Sequence, residues 1–267
     1  MVKVVILGSG AAPGVPCLSQ GFGACDPNNE KNVRMRAGTY MEISGVRFLI
    51  DTSPDLRMQL LKNNIRAVDA LFYTHVHADH LHGIDDLREL NRISGKPIDM
   101  FASLENMEVI RQRFGYLLAD AQSVINPVYR AALMPHAFDY HESFFVGDLE
   151  VMPIPLAGHN LPSSGYVFNK GEVVFIADFK DINPTVLGAV KQRPELLIMP
   201  LTTPQGTRYH AGFDELMKFA TEINPKRLII NHMAVECDYE DIMAACKKAN
   251  LADTEAVPAY DGLTVEF

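Results

Sequence analysis

Cysteine is scarce in this chain of 267 residues, with four in all, Cys17, Cys25, Cys237 and Cys246. Positive charge is scarce too, since 24 Lys and Arg against 33 Asp and Glu leave a formal net charge of −9. Nucleic-acid phosphates want a basic surface, so the balance argues against broad, sequence-independent binding to nucleic acid. No Lys/Arg cluster offers the exosite that processing of long RNA usually needs. A small anionic substrate stays open, because bound metal ions can dominate the local field. The opening Met1-Val2-Lys3-Val4-Val5-Ile6-Leu7 is too short an apolar run for a membrane span, and it lacks the long apolar region and cleavage site of a secretory signal. The chain therefore reads as cytoplasmic, with reduced thiols rather than a disulfide framework. No repeat, low-complexity tract or linker divides it, so one domain spanning 1–267 is expected.

What the chain does have is a succession of short apolar runs. Val2–Leu7 reads as a strand buried on both faces, being uniformly apolar. The loop after it runs to about Asn32. Within it, Gly8-Ser9-Gly10-Ala11-Ala12-Pro13 lacks the third glycine of the dinucleotide fingerprint and puts proline where a helix should run. Thr39–Ile43 and Val46–Ile50 flank Ser44-Gly45, a hairpin signal. Ser53 is placed to cap a helix that Pro54 starts and that ends near Asn63-Asn64. Further strands are predicted at 70–73, 98–102, 149–154, 164–168, 173–177, 196–199, 227–230 and 263–267. Helices are predicted from Gly83 and over 104–114, 185–191, 213–221 and 238–249. Residues 115–145, with Pro127, Pro135, His136 and His141, read as a loop insertion on the substrate side carrying surface histidines.

One stretch organises the rest, Tyr73-Thr74-His75-Val76-His77-Ala78-Asp79-His80. A short buried strand ends here in four candidate metal ligands. On an extended backbone, residues two apart point to the same side, so His75 and His77 can clamp one ion. Asp79 and His80 follow once the chain has begun to turn and can face a second position. A merely polar, histidine-rich loop is the alternative, but three of only 9 histidines fall in these six residues. Imidazole suits zinc, and carboxylate tolerates zinc, manganese or iron.

Three other predicted strands run into a metal-competent side chain: His159 after Gly158, Asp178 after Ala177 and His232 after Asn231. Each alone reads as a polar strand terminus. Together with the first stretch they make a set of seven, enough for two ions, and Asp178 is the natural bridge because a carboxylate can give one oxygen to each.

The pattern His-x-His-x-Asp-His followed by a distant His, Asp and His resembles that of the metallo-β-lactamase-fold hydrolases. Within that superfamily the chain is similar to the phosphoribosyl 1,2-cyclic phosphate phosphodiesterase group. The similarity is carried by Gly8-Ser9-Gly10 with Pro13-Gly14-Val15-Pro16, by Leu49–Asp55, by His75–Arg88 and by Pro258–Gly262. The resemblance covers essentially the whole chain and implies an α+β fold, a four-layer αββα sandwich. It implies His75, His77 and His159 on a first ion, Asp79, His80 and His232 on a second, and Asp178 with a water between them. Asp51 would orient a ligand histidine, although a helix-start role beside Ser53 fits the same residue. Some relatives hold a structural zinc on a Cys-x-Cys-x-x-Cys cluster. This chain keeps only Cys17 and Cys25 there, with Val235 in place of a histidine, so such a zinc is not expected, Cys237 being the residue near enough to test it.

The implied function is a two-metal phosphodiesterase acting on a small cyclic phosphodiester or nucleotide-like substrate. Two divalent ions about 3.5–4 Å apart, zinc first with manganese or iron as alternatives, would turn a bridging water into hydroxide near neutral pH. Asp79 and His210 are the candidate catalytic residues, His210 as acid to the leaving oxygen or as a loop histidine without that role. A lactone, thioester or β-lactam hydrolase on the same site is the rival, and an RNA-processing nuclease comes third. A homodimer fits as the commonest assembly.

Overall fold

The computed structural model describes residues 1–119, 132–181, 184–190, 193–249, 251 and 253–267. The first half runs β1 (Val2–Gly8), β2 (Gly38–Ile43), β3 (Val46–Ile50), α1 (Leu56–Lys62), β4 (Ala70–Phe72), α2 (Ala78–Leu81), α3 (Leu87–Ser94), β5 (Ile98–Ser103), α4 (Leu104–Phe114) and β6 (Leu133–Phe138). The second runs β7 (Phe144–Val146), β8 (Leu149–Leu156), β9 (Ser163–Phe168), β10 (Val173–Phe175), α5 (Pro184–Ala189), β11 (Leu196–Pro200), α6 (Phe213–Ile223), β12 (Arg227–Asn231), α7 (Tyr239–Ala249), β13 (Glu255–Pro258) and β14 (Thr264–Glu266).

Among the described residues two seven-stranded sheets result, ordered β14-β1-β2-β3-β4-β5-β6 and β13-β12-β11-β10-β9-β8-β7. Each is antiparallel through its hairpins and parallel where helices make the crossovers, from β3 to β6 and from β10 to β13. Alternation along β1 shows how the layers form. Val2, Val4 and Ile6 join a core cluster with Phe48 and Phe72 and, from the second sheet, Ile154, Tyr166 and Phe168. Val5 and Leu7 point the other way, to a cluster with Leu56 and Leu60 of α1, Leu87 and Leu90 of α3, and Met107 and Ile110 of α4. Leu216, Phe219 and Ala220 of α6 and Ile242 and Cys246 of α7 cover the second sheet. The architecture is the expected αββα sandwich. Among the described residues, no helix is long and apolar enough to cross a membrane.

Several local expectations are corrected. Helix α1 starts at Leu56 rather than Pro54, because the Ser53 hydroxyl accepts from the Asp55 amide (3.3 Å) and makes a turn before the helix instead of capping it. The 115–145 stretch is not all loop, since β6 and β7 add edge strands to the two sheets. His136 sits on β6, exposed, paired with Asp99 at 2.8 Å, and His141 is exposed as well. Residues 120–131, Pro127 among them, and the expected helix end at Lys191 lie outside the described residues. Leu104 begins its predicted helix but is 60% exposed. Strand β13 gave no apolar signal, because Glu255-Ala256-Val257-Pro258 is short and only half buried.

The long first loop is held by a buried arginine. Arg34 is 2% exposed and donates through Nη2 to the Asn32 side-chain oxygen (2.9 Å) and the Cys237 carbonyl (2.7 Å), and through Nη1 to the Ala234 carbonyl (3.3 Å). The Cys25 sulfur lies 3.9 Å from the same guanidinium, whereas the Cys237 sulfur turns away to the carbonyls of Leu201 and Thr202. Asn32 in turn donates through Nδ2 to the Asp238 carboxylate at 2.7 Å. Removing the guanidinium leaves several buried acceptors unpaired. Arg34→Met is expected to cost about 3 kcal/mol of stability in urea unfolding, with or without a chelator. A loss seen only in the absence of chelator would instead tie this loop to a metal.

Candidate metal centre

The site forms where strands of both sheets end. After β4 the chain carries His75 and His77, the latter extended, and α2 then turns Asp79 and His80 inward. That turn requires Gly83, where a Cβ would stand 2.0 Å from the Ser53 carbonyl oxygen. His159 follows β8, Asp178 follows β10, and His232 follows β12 in a left-handed conformation (φ 57°). Asp51, after β3, is left-handed too (φ 64°), a strained choice for non-glycine residues that recurs at functional sites.

The seven side chains converge. His77 Nδ1 lies 3.0 Å from His75 Nε2 and 3.2 Å from His159 Nε2. Beside them, His80 Nε2 lies 3.2 Å from His232 Nε2 and 3.3 Å from Asp79 Oδ2, which is 3.4 Å from His232 Nε2. Asp178 Oδ2 stands between these groups, 3.8 Å from His75 Nε2 and 3.7 Å from His80 Nε2. His75, His77 and His159 form one set whose ligand atoms could hold a cation. Asp79, His80 and His232 form a second, and His75, His80 and Asp178 join the two.

Hydrogen bonds behind the site decide which nitrogen of each ring faces inward. Asp51 Oδ2 accepts from His80 Nδ1 at 2.7 Å and from the Thr74 hydroxyl at 2.7 Å. Having donated to Asp51, the Thr74 oxygen accepts from His75 Nδ1 at 3.0 Å. The Tyr209 carbonyl accepts from His159 Nδ1 at 3.4 Å. His75 and His159 thus carry their proton on Nδ1, and both Nε2 lone pairs point at His77 Nδ1, whose single proton cannot serve the two well. Among the described residues, Asp178 Oδ1 is buried with no hydrogen-bond partner. Converging lone pairs and an orphaned carboxylate oxygen are what a cation resolves, and the mixed nitrogen and oxygen donors suit zinc, manganese or iron.

Charge follows the same geometry. Burial pushes His75 well below the ordinary imidazole range, lowers His77, and brings His159 down to about 4, so all three are neutral and ligand-ready at pH 7. Burial opposes charge on His80 and Asp79 as well, but their mutual attraction and the Asp51 carboxylate win, raising His80 and lowering Asp79. His232 and His80 likewise outweigh burial at Asp178 and keep it ionised. The second set therefore holds a proton where a cation would sit.

All seven sequence-predicted ligands are brought together, and Asp51 touches His80 and Thr74, the residue behind His75. His210 also joins the site, its Nδ1 4.0 Å from Asp178 Oδ2 and 3.1 Å from the Thr202 hydroxyl. A pocket of about 370 Å³ opens over the cluster, walled by Ala11, Ala12 and Pro13 on one side and by Thr202 and His210 on the other. Among the described residues, no set of three metal-competent side chains includes a cysteine. Sequence reasoning missed Thr74 and Thr202, since a threonine beside a histidine carries no signal until the other strand ends are placed.

Thr74→Val should keep the fold but release the His75 ring, weakening zinc binding by about 10- to 100-fold in competition with a chromogenic chelator, and Thr74→Ser should restore it. Wild-type affinity in Thr74→Val would remove the hydroxyl from the account.

Comparison with known proteins agrees with this geometry. The β-lactamase superfamily domain matches residues 46–233. A crystal structure described as a new diphosphatase from the PhnP family superposes with a TM-score of 0.84 at 26% identity, covering 100% of this chain and 98% of that one. An octanoyltransferase of Porphyromonas gingivalis is 26% identical over 99% of this chain and 53% of its own length. A ribonuclease Z of Shouchella clausii is 24% identical over 61% of this chain and 60% of its own. The chain thus spans only about half to three-fifths of these two curated relatives. The signature His-x-His-x-Asp-His, the αββα sandwich and the matched domain together place the chain in the β-lactamase superfamily, with the metallo-β-lactamase fold.

Proposed function

We propose that the chain is a two-metal phosphodiesterase acting on a small phosphodiester. His75, His77 and His159 would hold one divalent ion, Asp79, His80 and His232 a second, and Asp178 would reach both. When bound, such a pair lowers the pKa of water towards neutrality and neutralises charge on a phosphoryl group. The chain's own residues do the rest. Asp51 and Thr74 fix the inward-facing nitrogens, and Ala11, Ala12 and Pro13 close one side of the pocket against solvent.

The observation that carries the phosphate reading is His210. It forms a further set of metal-competent side chains with His159 and Asp178, lines the pocket, and is positioned to donate a hydrogen bond to the oxygen that leaves phosphorus. The full-length similarity to a PhnP-family diphosphatase supports this reading. Two other substrates draw on a specific relative. The octanoyltransferase favours an acyl substrate, such as a thioester or lactone, and the ribonuclease Z favours RNA. A net charge of −9 weighs against long RNA, and the transferase name belongs to a protein of which this chain matches about half.

His77→Ala and Asp79→Ala are expected to abolish turnover of bis(p-nitrophenyl) phosphate, as should exhaustive chelation, with zinc or manganese restoring the wild-type protein. Unchanged turnover in either variant would sink the assignment. His210→Ala should slow a cyclic diester with an alkoxide leaving group by roughly 100-fold while sparing the p-nitrophenyl ester, whose leaving group needs little help. Faster turnover of a thioester or lactone than of any phosphodiester, in side-by-side assays, would decide for the acyl reading.

A further inference from the structure

Strand β11 ends at the site without contributing a ligand. Its parallel register with β12 pairs Pro200 with Asn231, so the two residues beyond, Leu201 and Thr202, run alongside His232 and Met233. The Leu201 amide donates to the Asn231 carbonyl at 2.8 Å, and the Ala234 amide donates to the Thr202 carbonyl at 3.1 Å. The Thr202 side chain is thereby fixed between two histidines, with its hydroxyl 3.3 Å from His232 Nδ1 and 3.1 Å from His210 Nδ1.

A hydroxyl has one hydrogen, and the ring on its left dictates where it goes. His232 turns Nε2 towards Asp79 Oδ2 and His80 Nε2, so with a cation on that set Nε2 is a lone pair and the ring proton sits on Nδ1. That Nδ1–H donates to the Thr202 oxygen. The hydroxyl hydrogen is left for His210 Nδ1, which must then accept, and the His210 proton is confined to Nε2. The loop carrying His210 is itself tied down. The Thr207 hydroxyl accepts from the His210 amide at 3.1 Å, the His210 carbonyl accepts from the Thr207 amide at 2.9 Å, and the next residue, Ala211, donates to the Phe179 carbonyl at 2.9 Å.

We infer that Thr202 is a positioning residue that couples the second metal set to His210, holding His210 as a neutral ring with its Nε2–H available to an oxygen of the bound substrate. The inference rests on the phosphodiesterase reading for its catalytic consequence, but the tautomer it assigns does not depend on the substrate. His210 acts through a hydrogen bond from a neutral ring and not as an imidazolium. Thr202 touches neither substrate nor reacting atoms and works through His210.

Two measurements test it. In zinc-loaded protein with ¹⁵N-labelled histidine at pH 8, long-range ¹⁵N–¹H spectra should show His210, assigned by its disappearance in His210→Ala, as the Nε2–H tautomer. Thr202→Val should lose that pure signature, and Thr202→Ser should keep it. An Nδ1–H tautomer in wild type, or an unchanged Nε2–H tautomer in Thr202→Val, overturns the proposal, the second because Asp178 or a cation rather than Thr202 would then be holding the ring. In turnover at saturating zinc, Thr202→Val should lower kcat on 2′,3′-cyclic AMP about tenfold more than it lowers kcat on bis(p-nitrophenyl) phosphate, and Thr202→Ser should rescue the difference. Equal loss on both substrates overturns the positioning role. The spectra read Thr202 and the His210→Ala rates read the donor to the leaving group, so failure of one account is distinguishable from failure of the other.

Discussion

One carboxylate oxygen, Oδ2 of Asp51, governs the orientation of both halves of the centre. It accepts directly from His80 and, through the Thr74 hydroxyl, fixes the ring of His75. Its other oxygen accepts from the Thr74 amide at 2.8 Å, so the carboxylate also pins the backbone that begins the histidine stretch. These bonds require Asp51 to leave its strand in a left-handed conformation, with the strain sustained by the Asp51 amide bonded to the Phe72 carbonyl and by the Thr52 amide bonded to the His80 carbonyl. Neighbouring strand ends, not the histidine motif alone, therefore aim the inward-facing nitrogens.

The sequence points to the seven metal-competent side chains because each follows an apolar strand, and strands that end together at one edge of a sandwich must bring their next residues together. His159, Asp178 and His232 were legible for that reason, as were most strands and the helices 104–114, 213–221 and 238–249. Polar residues that act through others were less legible. Asp51 was readable only as one of two roles, because a residue between a strand and Ser53-Pro54 looks the same whether it starts a helix or orients a ring. The start of α1 was misread because a serine hydroxyl can close a turn as well as cap a helix. Strand β13 and the edge strands β6 and β7 escaped because edge strands lack the continuous burial that makes β1 or β10 obvious.

Arg34 shows a different limit. In the sequence it is an unremarkable basic residue before Met35, and the nearby cysteines draw attention instead. The structure gives the guanidinium a crosslinking role, reaching from the first loop to the carbonyls at 234 and 237, just past His232. The planar guanidinium fork reaches two carbonyls and the Asn32 side-chain oxygen from fixed positions, a geometry that an ammonium does not hold. The loop that walls the pocket at Ala11–Pro13 and the strand end that carries His232 are thereby joined, with the Ala11 amide bonded to the Met233 carbonyl and the Met233 amide to the Ser9 carbonyl.

Two kinds of support thus meet at this centre, and they constrain function differently. Strand ends supply the proposed ligands, and buried hydroxyls and carboxylates set their tautomers. That machinery is indifferent to whether phosphorus or carbon is attacked. The pocket wall is built from loops, the 8–16 segment on one side and the 203–212 segment carrying His210 on the other. Thr202 stands where the two kinds of support touch, the last residue placed by sheet register and the first to contact a loop side chain. Substitutions in the loops can therefore change which leaving group is assisted without disturbing the ligands, whereas a change at Thr202 alters how the second metal set and the loop donor work together. On the proposed reading, selectivity would follow from what faces the cluster across the pocket, where His210 would be the polar group whose proton the sheet holds in place.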